Sequence, residues 1–276
     1  MSNFTLPLYN FEFDGNRMIN LRNAKIIPAE NKWIYGDIIK ESEFVLTLES
    51  DKNLNPSAVL DKILVLFKLF KDCSISSNAV VIPGEVIFFN KYTYWLGENI
   101  TCPPKFILAL DEEKEFISFW EEFFDINVDN FAVSRFNYAD FNPNPRDKIV
   151  NYIESLEFMF VPDSAGGEIS YKFRSRGTLI LGESNNPEER KDLFEYLKDA
   201  YDLRSAIVHG NTNRESKLLK KRNLDNYIRD FREFTRKAIK FYYVKRCLDD
   251  NDKRSNLMER MFVFECKPGD ENRPCK

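Results

Sequence analysis

The chain has 276 residues, 43% hydrophobic and 30% charged, with 25 Phe, 12 Tyr and a formal net charge of −4. That composition excludes disordered and fibrous classes, and it allows one large domain or two, with a core that needs no disulfide or metal. Five cysteines, at 73, 102, 247, 266 and 275, form no C-x-x-C pair behind a start (MSNFTLPLYN) that lacks a leader pattern, which reads as reduced thiols and a cytoplasmic location.

In chain order, EFVLTLES alternates with Phe44, Leu46 and Leu48 on one side and predicts a half-buried strand. NPSAVLDKILVLFKLF follows, with Asn55 as N-cap and Pro56 at the first helical position, and predicts a helix. Asp61, Lys62 and Lys68 interrupt it well short of the about 18 apolar residues of a membrane span, so no membrane partner is expected. NAVVIPGEVIFFNKYTYW predicts two strands around a Pro-Gly turn. Pro103 and Pro104 then break the chain, and everything downstream has a period near 3.6. The expected organisation is an α+β domain over 1–105 and an all-α helical domain over 106–276. Its helices are predicted near 111–125, 128–140, 145–161, 168–180, 187–209, 216–247 and 255–264.

Charge is unevenly spread. Residues 111–125 hold seven acids and one Lys, whereas 216–246 hold eleven Lys and Arg against three acids. Within that basic stretch Leu224, Tyr227, Ile228, Phe231, Phe234, Ala238, Phe241 and Tyr242 recur at three and four, and Arg229, Arg232, Arg236 and Lys240 form a separate line. Together with Arg174 and Arg176 of KFRSR, that line is a candidate guide for a phosphate backbone; a solvated helix face is the ordinary alternative. In 145–161 the apolar stripe is Ile149, Ile153, Leu156 and Phe160, with Glu157 on its border, where a carboxylate needs a partner.

The single histidine lies in YDLRSAIVHG, residues 201–210. As local structure, this is a helix that ends with Gly210 in the left-handed C′ position while Arg204 and His209 meet the negative end of the dipole. Five helical residues turn the chain by roughly 140° over about 7.5 Å, so the two side chains do not share a face. For them to cooperate, either the helix loosens at Gly210 or a second copy faces the first across a two-fold axis.

The segment SRFNYADFNPNPRDKIVNYIESLEFMF, followed later by LFEYLKDAYDLRSAIVHG, resembles the ApeA-like branch of the HEPN superfamily. The resemblance covers about residues 130–245 and lies in the order of Leu156-Glu157, then Tyr201, Arg204, Ser205, His209 and Gly210. It implies a helical bundle that dimerises and, in many relatives, cleaves RNA without metal or other cofactor through an Arg-x4-6-His motif. By that likeness Arg204 and His209 are the motif pair and Ser205 is the polar residue beside the arginine, where many nuclease members carry Asn, Asp or His. Tyr201 and Gly210 would support the motif structurally. Glu157 is read either as the ion-pair partner that fixes Arg204 or as a group that also orients His209 or shares proton transfer.

The chemistry suits the residues independently. A 2′-hydroxyl can attack the adjacent phosphorus; an unperturbed imidazole, titrating near 6.5, moves the proton at neutral pH. A guanidinium forks onto phosphate oxygens and stabilises the charge that develops. One histidine supplies only half of the acid–base pair, so a homodimer through the helical domain is expected. No zinc set, phosphate-cradling glycine loop or G-x-S-x-G elbow is present in the sequence. The functional expectation is a toxin-like or antiviral, phage-defence endoribonuclease whose partners are RNA and an antidote or regulator protein. The alternative is a catalytically silent HEPN module that binds RNA, nucleotide or a partner protein.

Overall fold

The structure is a computed structural model that describes residues 2–15, 17–29, 42–50, 55–77, 79–82, 85–88, 104–162, 168–182 and 186–263. It divides into two compact units, Met1–Val128 and Asp129–Lys276.

The first unit is built on antiparallel pairing. Strands β1 (Ser2–Leu8), β3 (Ile19–Leu21), β4 (Ala24–Pro28), β5 (Phe44–Ser50), β6 (Ala79–Ile82) and β7 (Glu85–Phe88) form one sheet in the order β3-β4-β5-β1-β6-β7. The predicted alternation appears in the register: Phe4 faces Leu48, Leu6 faces Leu46 and Leu8 faces Phe44, and all six are buried. β6 and β7 pair antiparallel with Ile82 opposite Glu85. The Pro-Gly turn between them, and the continuation past Phe88 through NKYTYW, lie outside the described residues. Helix α1 (Pro56–Phe70) starts as its sequence requires, with the Asn55 side chain accepting from the Ser57 N–H and Pro56 in the first turn.

The units divide at 128 rather than 105, because the segment after the two prolines belongs with the strands. β8 (Phe106–Leu108) pairs in parallel with β2 (Phe11–Phe13), and Phe106 and Phe11 stack at 5.5 Å. Helix α2 (Glu113–Phe123) delivers Phe116 and Trp120 to Phe67 of α1, at ring separations of 5.5 and 5.8 Å. The Trp120 indole N–H donates to the Arg22 carbonyl at 3.3 Å. A 3.6 period identified α2 as helical, but an aromatic cluster decides which core it serves.

The second unit is helical: α3 (Phe131–Phe141), α4 (Pro145–Phe160), α5 (Ile169–Leu181), α6 (Pro187–Val208), α7 (Thr212–Lys221), α8 (Leu224–Val244) and α9 (Asn251–Val263). Asparagine starts most of them, since Asn130, Asn144, Asn186, Asn211 and Asn223 each accept a backbone N–H of the turn they open. The helix predicted over 216–247 is therefore two. Arg222 is extended and Asn223 caps α8 by accepting from Asn226, so the chain turns where a continuous period suggested one rod.

α4 is the hub, packed by α3, α5, α6 and α8. It is apolar over more than one stripe, and its buried Tyr152 and Ser155 hydroxyls are paired. Ser155 donates to the Ala132 carbonyl at 2.8 Å. The Tyr152 hydroxyl donates to Asp140, and the Arg232 Nε–H reaches both the Asp140 carboxylate at 3.2 Å and the Tyr152 oxygen at 3.1 Å. Burial first, then the Asp140 charge, pushes the Tyr152 hydroxyl well above its ordinary pKa, so it stays protonated as the donor.

Candidate functional site

The end of α6 is a backbone corner set by sequence. His209 is the C-cap and still donates its N–H to the Ser205 carbonyl at 3.1 Å. Gly210 has φ +65, its N–H reaches the Ile207 carbonyl at 3.1 Å, and the Asn211 N–H reaches Ala206 at 2.8 Å. This pair of bonds is a Schellman motif, and only glycine enters its left-handed position without a Cβ penalty. Asn211 then caps α7 by accepting from the Arg214 N–H. The helical hydrogen bonds of α6 run up to His209, and the chain leaves the helix at Gly210.

Arg204 reaches toward α4. Its Nη2 lies 3.5 Å from Glu154 Oε1 and its side chain is 23% exposed, whereas His209 and Gly210 are exposed. Ser205 and Tyr201 are half-buried, and the Tyr201 ring packs on Phe173 at 5.4 Å. The carboxylate in ion-pair contact with Arg204 is thus Glu154, one turn before Glu157. Glu154 also meets Arg135 of α3, at 3.4 Å between Oε2 and Nε. Glu157 is half-buried next to this pair, and its Oε2 has no hydrogen-bond partner among the described residues; Arg204 Nε is in the same position. Sequence reading chose Glu157 from the Leu-Glu pair and missed Glu154, although a second acid three residues earlier on the same border was the available signal.

Burial raises the Glu157 carboxyl above its ordinary 4.5; Arg204 opposes the rise, and the Glu154 charge adds to it. Burial and the Glu157 charge likewise raise the Tyr201 hydroxyl, against Arg204. A carboxyl whose folded pKa is raised binds its proton more tightly in the folded chain. Its contribution to stability is fullest below 4.5 and is lost as pH rises through the folded value. Glu157→Gln is expected to flatten that slope and to be no less stable than the wild type at pH 7. Urea midpoints at pH 4.5 and 7 measure this, and a variant that loses more stability than the wild type between them would contradict the assignment.

The proposed cationic track is not a face of α8. Arg232 is buried at 6% exposure in the pair with Asp140, so it cannot meet a polyanion. Arg236 pairs with Glu233 and its side chain is 13% exposed, while Lys240 is half-buried. Arg229 is exposed and pairs with Asp230 at 3.3 Å. On α5, Arg176 is buried and donates to the Phe160 carbonyl at 2.9 Å, closing the end of α4. Arg174 lies over the Phe194 ring at 4.4 Å. These guanidinium groups mostly hold the bundle together, since Arg232, Arg176 and Arg174 reach groups on neighbouring helices.

Among the described residues no group of three or more His, Cys, Asp or Glu side chains is placed to hold a metal ion. Among the same residues no helix is long and apolar enough to cross a membrane. Cys73 and Cys247 are buried. No family model, no curated protein and no solved structure matches the chain. What fold and site define together is an α+β unit followed by an all-helical one, with an arginine and an exposed histidine near the end of one helix.

Proposed function

We propose that the helical unit is a HEPN-like, metal-independent endoribonuclease that works as a homodimer in the cytoplasm, in a toxin-like or phage-defence role restrained by an antidote or regulator protein. The observation that carries this reading is the exposed imidazole of His209, fixed in a rigid corner, five residues after a guanidinium held partly exposed by a carboxylate of α4. In the proposed reaction His209 takes the proton of a 2′-hydroxyl, and that oxygen bonds to the adjacent phosphorus. Arg204 offers two N–H groups to the non-bridging oxygens as charge builds on them. The bond from phosphorus to the 5′-oxygen breaks, the departing oxygen is protonated by His209 of a second copy, and a 2′,3′-cyclic phosphate and a 5′-hydroxyl result. Two copies enter the proposal because one imidazole per chain cannot act as base and acid in the same step.

Incubating RNA with the full chain in EDTA tests this. Fragments ending in cyclic phosphate are expected, and RNA methylated at every 2′-oxygen should stay intact. Cleavage that needs a divalent ion, or that proceeds on the methylated strand, would exclude the mechanism. One observation favours a second reading: Arg204 is already matched by Glu154 and lies beside Glu157. A guanidinium so neutralised suits a silent HEPN module that binds RNA, nucleotide or a partner protein, and that reading predicts binding without any cutting.

A further inference from the structure

We infer that the outer face of α3, formed by Phe131, Arg135 and Tyr138, is a stacking platform for unpaired RNA bases, so that the strand presented to Arg204 and His209 is single-stranded. The nature of the polymer rests on the function proposed above; the platform rests on the geometry of α3.

Residues four and seven positions after Phe131 return to the same side of a helix, and seven residues span about 10.5 Å along its axis. Two large aromatic side chains on that side are open to solvent, Phe131 at 41% and Tyr138 at 56% exposure. Between them the Arg135 guanidinium lies 5.1 Å from the centre of the Phe131 ring. It is not a loose surface cation. Its Nη1 donates to Asn151 Oδ1 at 3.0 Å and its Nε pairs with Glu154 at 3.4 Å. One edge of Phe131 is seated on Phe158, with ring centres 5.3 Å apart.

The same Glu154 links this face to the candidate site, since its other oxygen meets Arg204 at 3.5 Å. One carboxylate therefore spans the platform and the guanidinium assigned to the scissile phosphate, which places them side by side. The chemistry of the stripe selects its occupant. A second copy or an apolar peptide laid on the two rings would have to desolvate the charged group between them. A single strand does not, because bases stack on rings and on the guanidinium plane while phosphates meet the positive charge. A duplex keeps its base faces stacked on each other and has none to offer.

The test measures anisotropy of a labelled, uncleavable 2′-O-methyl strand bound to the full chain, alone and annealed to its complement, for the wild type, Tyr138→Ala and Tyr138→Trp. The wild type should prefer the single strand. Tyr138→Ala should weaken that binding roughly tenfold, the loss of one base–ring stack, with Trp restoring it and duplex binding unchanged. Equal affinity for both forms, or a Tyr138→Ala variant that binds the single strand as well as the wild type, overturns the platform. So does a variant that merely dissociates into monomers in light scattering with unchanged affinity per protomer, which would mark a face for a second copy. The two proposals fail separately. A chain that cuts RNA in EDTA but ignores Tyr138→Ala keeps the nuclease and loses the platform; ring-dependent binding by a chain that cuts nothing does the reverse.

Discussion

Asp140→Ala is expected to remove about 3–5 kcal/mol from the stability of the helical unit, the usual cost of stranding one member of a buried ion pair. Its partner Arg232 and the Tyr152 hydroxyl are both buried, and both direct their hydrogen bonds at the carboxylate that would vanish. Against a typical total of about 5–15 kcal/mol, such a loss takes much of the margin. Urea unfolding followed by helical ellipticity should shift to lower concentration. Replacing Asp140, Arg232 and Tyr152 together by Leu, Met and Phe should recover most of the loss, since an apolar set of similar volume leaves no buried group without a partner. A cost of Asp140→Ala below about 1 kcal/mol would mean that the pair behaves as though it were at the surface. The same result bears on function: Arg232→Ala should fail by unfolding, not by weakening contact with RNA.

The second large effect is catalytic. His209→Ala should lower RNA cleavage by about 10²–10⁴, the range for removing a general acid–base group, while stability moves by no more than about 0.5 kcal/mol because the side chain is exposed. Arg204→Lys should also lose most of the rate, since an ammonium cannot fork onto two phosphate oxygens. The decisive experiment mixes the wild type with His209→Ala and lets subunits exchange. Because the proposed reaction uses the imidazoles of both copies, mixed dimers should be as impaired as the variant, and an excess of His209→Ala should suppress wild-type cleavage. A His209→Ala protein that cuts at the wild-type rate would end the assignment of the imidazole.

The sequence made some of this architecture readable and hid other parts for identifiable reasons. Local chemistry was legible where one residue type has a backbone job, as in the Asn-Pro start at 55 and the glycine after His209. The start at Asn223 was not, because no proline follows it and the apolar period runs through the turn almost in phase. Periodicity tells which residues share a side of a helix, but not what covers that side. Arg232 therefore looked solvent-facing although α3 brings Asp140 to it, and Arg236 turns to Glu233 of its own helix. Glu154 was missed because ion pairing depends on which helix packs opposite, and nothing local in α4 says that α6 brings an arginine there. The division at 128 was displaced for the same reason, since prolines mark a break in regular structure without saying which core the next segment joins.

The corner at His209 has no spare residue in it. The bond that ends one helix uses the N–H of Asn211, and the side chain of that same asparagine begins the next. There is no linker here whose length can drift, so an insertion of even one residue would break either the closing bond or the opening one. The backbone of His209 therefore inherits its place from the packing of two rods.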